Sequence, residues 1–362
     1  MQKSFLHQNE YRIYNVNHDD NGAYIELLFS SSADGPFSVR DRVISFDLDD
    51  IRVITTAILV EESSQNHFLI YTKGTEGLYI LPINPRNGLS LIESAETLIA
   101  KRPNWNHYGM HAPHIIYNRN SDYYYLFVSY GQSGIDGNIR VGRSRQVKGP
   151  YLDVNENDLT DCHDFDSQIG YLLLAPYSIG PSEHMTSIEC VNITEEDNIW
   201  NMECKIFSNY HSDEHFVQYR MIWSDDDWPL IVPLSDIQTI SRNTFSAADI
   251  AGKYDFVSFT PTTPQRRLIG VTLNILSPED EGISCMRDSW AYPTKSYSMG
   301  RVELGGTIRG FWKMTNTDTL IISYCNYTET YKITYSNDKI VLTGKNNKGI
   351  ACFAVKYNQT KS

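Results

Sequence analysis

The chain has 362 residues, enough for two domains and a sizeable buried core, and a net charge of −13. That charge argues against nucleic acid or an anionic membrane as the main partner. No stretch approaches the ~18 apolar residues of a membrane-spanning helix, and the opening MQKSFLHQNEYRIY lacks the apolar run of a signal peptide.

Aromatic residues make up 12% of the chain, which favours β structure and suits both sugar contacts and plain β packing. Six cysteines (Cys162, Cys190, Cys204, Cys285, Cys325, Cys352) are scattered without a C-x-x-C pair, which argues against a zinc site of that type and for free buried thiols.

Strand-sized apolar runs separated by turn signals fill the first part of the chain. The first is 24–30. Runs at 53–60, 67–72 and 78–83 form a meander ending at the turn Asn84-Pro85-Arg86-Asn87-Gly88. Helical periodicity is nearly absent, and 90–100 is its one weak candidate. Next come 114–118, the turn cluster 118–122, the aromatic and β-branched run 123–130, a glycine-punctuated loop at 131–137, and 138–144. Runs at 185–192, 200–210, 216–223 and 230–232 make a fourth group. Four groups of short strands suggest four propeller blades within residues 1–238.

Residues 235–251 are polar and turn-rich, a plausible linker. Gly252 opens a second β-rich region, 252–362. Six short strands there, at 268–273, 307–313, 319–324, 330–335, 339–343 and 350–356, fit a small antiparallel barrel. No Gly-x-Ser-x-Gly elbow, P-loop, dinucleotide fingerprint or His-Glu-x-x-His occurs.

Four linked motifs carry a resemblance. Ala112-Pro113-His114, Tyr124-Tyr125-Leu126-Phe127-Val128-Ser129, Ile139-Arg140-Val141-Gly142-Arg143-Ser144 and Gly149-Pro150-Tyr151-Leu152-Asp153 stand in the order and spacing of glycoside hydrolase family 43. They look most like its endo-arabinanases. The resemblance implies an all-β fold, a five-bladed-type β-propeller followed in one branch by a C-terminal β-barrel, and arabinan-like polysaccharide or oligosaccharide as partner. It also implies that family members are often secreted. Residues 11–32 resemble the family's second blade, and 68–79 with the 84–88 turn its third. The resemblance therefore starts one blade late, and the first blade, which carries the catalytic base, is missing.

Inverting glycosidases need a carboxylic acid and a carboxylate base ~6.5–9.5 Å apart, and the family adds a third Asp that tunes the acid. The resemblance places the acid, a Glu before Ala-Pro, at His111, and the tuner at Thr55. An imidazolium can donate a proton, but a histidine here also suits a sugar hydrogen bond. Threonine cannot replace the tuner and is explained by a strand backbone contact. His18-Asp19-Asp20 is similar to the family's base segment, but Asp20-Asn21-Gly22 reads better as a hairpin turn. Glu10 aligns with a binding or supporting Asp.

Gly180-Pro181-Ser182-Glu183-His184 resembles the family's Gly-Pro-Gly-His. By that likeness His184 would hold a water-rich calcium ion on the propeller axis, with Glu183 at the substrate. A buried histidine with a backbone partner is the alternative. Trp105, His107 and Tyr108 lie on the loop before His111 and are candidates for stacking on sugar, or for packing under the loop. Residues 132–136 would lie at the pocket rim. Asp225-Asp226-Asp227 reads as a solvated turn. Three functions stay open: a degenerate homologue that binds arabinan, an active hydrolase using His111 or Glu183, and a non-enzymatic propeller module.

Overall fold

A computed structural model describes residues 5–7, 9–20, 22–47, 58–62, 66–73, 77–91, 96–102, 110–162, 169–178, 185–208, 213–235, 244–259, 268–269, 271–276, 299–336 and 338–357. The fold is all-β. The described helix is a single turn, α1 (Ala247–Ile250).

Four four-stranded antiparallel sheets follow the chain. The first is β1 (Phe5–His7), β2 (Glu10–Asp19), β3 (Gly22–Ser30) and β4 (Ser38–Asp47). The second is β5 (Ile58–Glu62), β6 (Asn66–Lys73), β7 (Gly77–Ile83) and β8 (Thr97–Ala100). The third has the order β12-β11-β10-β9, from β9 (Met110–Asn118), β10 (Tyr123–Tyr130), β11 (Asn138–Ser144) and β12 (Tyr171–Leu174). A two-residue strand, β13 (Tyr177–Ser178), precedes the fourth sheet of β14 (Met185–Glu196), β15 (Ile199–Ser208), β16 (Asp213–Trp223) and β17 (Pro229–Ser235).

Two compact units divide the chain. One holds residues 1–132 and 140–170, the other 133–139 and 171–362. In the first unit the second sheet is buried on both faces. Leu69, Tyr71, Leu81 and Ile83 meet Tyr14, Ile25, Leu27 and Phe46 of the first sheet. Phe68, Ile70, Leu78 and Ile80 meet Tyr124, Leu126 and Val128 of the third. Burial on both faces explains why β6 and β7 read as continuous apolar runs without polar alternation.

The turn after β7 is clasped from β2. Arg12, 2% exposed, donates from Nη1 to Pro85 O and from Nη2 to Arg86 O, each at 2.8 Å. Tyr14 Oη donates to Gly88 O at 2.8 Å. Gly88 has φ +75°, and a Cβ there would lie 2.6 Å from Leu27 Cδ2, so only glycine fits.

In the second unit, β18 (Gly252–Ser258), β20 (Val271–Ile275), β21 (Met299–Leu304), β22 (Ile308–Met314), β23 (Thr319–Tyr324), β24 (Tyr327–Ser336), β25 (Lys339–Asn346) and β26 (Ala351–Lys356) close into a barrel. A short β19 (Leu268–Ile269) pairs with β13. The barrel thus has eight strands rather than six: β18, which opens the region, and the alternating β21 were not among the six, and of 268–273 only the β20 part joins the barrel. Trp312, Tyr254, Leu320, Ile322, Tyr331 and Leu342 fill its core. The fourth sheet packs on it through Val232, Val341 and Val355, and Thr343 Oγ1 donates to Ile231 O at 2.6 Å.

Two readings change, and the acidic turn, exposed as expected, gains partners. Residues 97–100 of the helix candidate are strand β8, with Ile99 and Ala100 buried; 92–95 lie outside the described residues. The supposed linker ends in α1, capped by Ser246, and Phe245 and Ile250 pack into the barrel core. The acidic turn is paired. Lys345 Nζ meets Asp226 at 2.6 Å and Lys332 Nζ meets Asp225 at 2.7 Å. For Asp226, burial acts to raise the pKa, but the Lys345 and Ser224 hydrogen bonds outweigh it and the pKa is lowered.

Candidate functional site

His111 lies at the start of β9, half-buried, opposite Ser129 of β10. The ladder runs in register as far as His114↔Phe127 and resumes at His111↔Ser129, so Ala112 and Pro113 face the single residue Val128. This is a β-bulge, a device that re-aims a side chain. Pro113 suits it, because a bulge spares one ladder N–H. Ala112 sits at φ +44°, a left-handed conformation that costs an L-residue ~1–2 kcal/mol. The backbone strain is thus stored beside the residue at the acid position.

Positive charge surrounds the next rung. Tyr130, opposite Met110, is 1% exposed, and the Arg102 guanidinium lies 4.2 Å from its ring centroid. Burial raises the Tyr130 pKa, with the two arginines pulling the other way. Arg140 of β11 is 1% exposed and donates to Gly170 O at 3.1 Å. Burial, then the charge of Arg102, brings its pKa down to about 9. Sequence reasoning missed Arg102 and Arg140 as a pair. The available signal was Arg140 inside the apolar strand Ile139-Arg140-Val141, since arginine is rarely buried without a purpose.

Asp153, the last residue of the Gly-Pro-Tyr-Leu-Asp motif, is structural. Its Oδ1 accepts the amides of Asn155 (2.8 Å) and Asn157 (3.0 Å), and its Oδ2 that of Gly170 (3.1 Å). The rim loop within 133–139 is tied to β14. Gly137 N donates to Ser187 Oγ, Ile188 N to Gly137 O and Thr186 Oγ1 to Gly134 O, each at 3.1 Å.

The described carboxylates near the chain start are engaged elsewhere. Glu10 pairs with Arg40 at 2.5 Å and Arg12 at 2.8 Å. The Arg40 hydrogen bond lowers its pKa against the effect of burial. Asp19 pairs with Arg42 at 2.8 Å, and Asp19↔Gly22 is the last pair of the β2–β3 hairpin, so His18 and Asp19 belong to the strand and Asp20 to the turn, as the hairpin reading of Asp20-Asn21-Gly22 has it.

Thr55, Trp105, His107, Tyr108, Glu183 and His184 lie outside the described residues. Among the described residues no group of three or more His, Cys, Asp or Glu side chains is placed to hold a metal.

Comparison with known proteins gives a consistent picture. Residues 5–229 match the profile of glycosyl hydrolases family 43. The extracellular endo-α-(1→5)-L-arabinanase of Thermotoga petrophila is 36% identical over 99 residues, 27% of this chain and 21% of that protein. The Bacillus subtilis extracellular endo-α-(1→5)-L-arabinanase 2 is 35% identical over 96 residues, 26% of this chain and 20% of its own length. The match thus spans about a fifth of these curated relatives. The fold is also that of the family 43 YxiA protein from Bacillus licheniformis, with TM-score 0.80, 15% identity, 98% of this chain and 83% of that one. The T. petrophila endo-1,5-α-L-arabinanase structure gives TM-score 0.79 at 18% identity, with the same coverage.

Proposed function

This chain belongs to glycosyl hydrolases family 43, and on that premise we propose that it binds an arabinan-type polysaccharide while hydrolysing it poorly or not at all. The observation that carries the reading is His111. It stands where the family resemblance places the proton-donating Glu, on a strained bulge that aims one side chain. Thr55 at the tuner position supports it. The four described four-stranded sheets are read as four propeller blades. The barrel is read as the domain appended in one branch of the endo-arabinanases. Calcium held through His184 belongs to the same reading.

The chemistry follows from what is replaced. Glycosidic cleavage by inversion needs a proton for the leaving oxygen and a base to activate water on the opposite face. Each form of assistance contributes roughly 10²–10⁴-fold. An imidazole at 111 stands where the first of these is expected, and it can donate or accept one hydrogen bond to a sugar oxygen. The arabinanase structure from Cellvibrio cellulosa solved with arabinohexaose makes that oligosaccharide the natural probe.

The test compares wild type, His111→Ala and Glu183→Gln on debranched arabinan and an aryl arabinofuranoside, alongside calorimetry with arabinohexaose. Binding without product release, weakened by His111→Ala, is the expected result. Robust release of oligosaccharides, abolished by either substitution, would establish a working hydrolase instead.

A further inference from the structure

An open groove of about 390 Å³ runs along β8, lined by Thr97 and Ile99 of that strand, by Lys148 and Pro150 of the turn after β11, and by Asp158 and Thr160. The volume is within the ~300–1,000 Å³ of ordinary ligand sites. Its lining shares no residue with the His111 rung.

The lining narrows the ligand class. Lys148 and Asp158 bring one charge of each sign, so a polyanion or polycation gains little there. One carboxylate is too few for a calcium ion, which wants ~6–8 oxygens. A guest β-strand is excluded by the chain itself, because Lys101 N, just past β8, already donates to Leu159 O at 2.8 Å. The lining combines the hydroxyls of Thr97 and Thr160, a carboxylate and an ammonium with the apolar Ile99 and Pro150. That suits a molecule with hydroxyl edges and C–H faces. The polar groups are also held in place. Asp158 Oδ1 accepts both the amide and the hydroxyl of Thr160 at 2.8 Å. Leu159 N donates to Tyr151 O at 2.9 Å, and Asp161 N to Asp158 O at 2.9 Å. The Lys148 ammonium lies 5.7 Å from the centroid of the buried Phe68 ring, over its face. Such pre-organisation reduces the ordering cost of binding. The groove is open rather than enclosed, so a polymer can lie in it with both ends in water.

We propose that this groove is a second carbohydrate-binding site, which takes a short neutral stretch of an oligosaccharide with Asp158 and Lys148 hydrogen-bonding its hydroxyls. It deepens the functional reading above and rests on it only in that the ligand is a glycan. Two sites on one chain would raise avidity for a polymer over an oligomer.

The experiment titrates the full chain with arabinopentaose, xylopentaose and cellopentaose by calorimetry. It uses wild type, His111→Ala and the double variant Lys148→Met/Asp158→Asn. Asparagine keeps the acceptor that Thr160 needs, and unchanged thermal melting controls for folding. Two classes of site are expected for arabinopentaose. The double variant should weaken one class by about tenfold or more, as loss of two hydrogen bonds to charged groups predicts, and leave the other. His111→Ala should do the converse. If arabinopentaose fails to bind but another probe binds and is lost in the double variant, the groove stands and the arabinan reading falls. If the double variant binds all three probes as the wild type does, or none of the three binds, the groove is not a carbohydrate site.

Discussion

Glu329 offers a test of the barrel's energetics. It sits on β24, is 0% exposed, and accepts from Tyr324 Oη on Oε1 and Tyr331 Oη on Oε2, both at 2.5 Å. Burial raises its pKa from 4.5 to about 7, although the two phenol hydrogen bonds pull it back. Below pH 4.5 the folded and unfolded chains both hold the proton, and the full stability is present. Between 4.5 and about 7 the unfolded chain releases it while the folded chain keeps it. Stability therefore falls across that window by ~1.4 kcal/mol per pH unit, about 3 kcal/mol in all. Above about 7 both states are ionised and the loss levels off. Glu329→Gln removes the titration and keeps a side chain able to bond both phenols. Urea denaturation of wild type and Glu329→Gln from pH 4.5 to 8 isolates the effect. The wild type should lose about 3 kcal/mol relative to the variant as pH rises to 7. Parallel stability profiles for the two proteins would refute the assignment.

Other outcomes follow from the geometry. His111→Glu puts a carboxyl before Ala112-Pro113; on the binding-only proposal the release of reducing sugar from arabinan should stay within about tenfold of wild type, and a gain beyond ~10² would overturn that proposal. Ala112→Gly relieves the left-handed backbone at φ +44° and should stabilise the first unit by ~1 kcal/mol in chemical denaturation. Gly344→Ala would place a Cβ 2.0 Å from Thr330 O, so the β24–β25 ladder must part; a loss of ~3 kcal/mol or an insoluble product is expected. Asp226→Asn breaks the Lys345 pair at a half-exposed site and should cost under ~1 kcal/mol, a difference that vanishes in ~1 M salt. Because the Asp226 pKa is lowered, that contribution is present at neutral pH and is lost as pH falls below the carboxylate range.

Much of the fold was legible because the sheets repeat one local rule. Residues 67–72 and 78–83 are apolar on both faces because sheets cover both faces, so their strands could be read from composition alone. β8 was not legible. Thr97–Ala100 follows a stretch with weak helical spacing, and its strand state comes from pairing with β7 across a bulge, a contact that local sequence does not encode. β21 was missed for the opposite reason. Val302 and Leu304 are buried while Arg301 and Glu303 alternate with them, a clean period of two hidden between residues of mixed character. The acidic turn at 225–227 counts as solvated on charge alone. Its lysine partners come more than a hundred residues later, where only the folded barrel brings them.

The candidate site divides along the same line. His111 was singled out because Ala112-Pro113 follows it; the bulge at Pro113 was not read, because the strand was taken to begin at 114 whereas β9 begins at Met110. What the motif could not supply was the sign of the charge around it. Arg102 and Arg140 are distant in sequence, and although Arg140 sits in an apolar strand run, nothing local pairs it with Arg102. Burial first, and then the Arg102 charge, brings Arg140 down to about 9. A buried guanidinium is costly to keep, and a strained alanine adds to that cost. Neither feature contributes to packing as an apolar side chain would. Arg140 and Ala112-Pro113 both lie in the motifs that carry the family resemblance, and in the fold they set the backbone and the buried charge on the rungs at and beside His111.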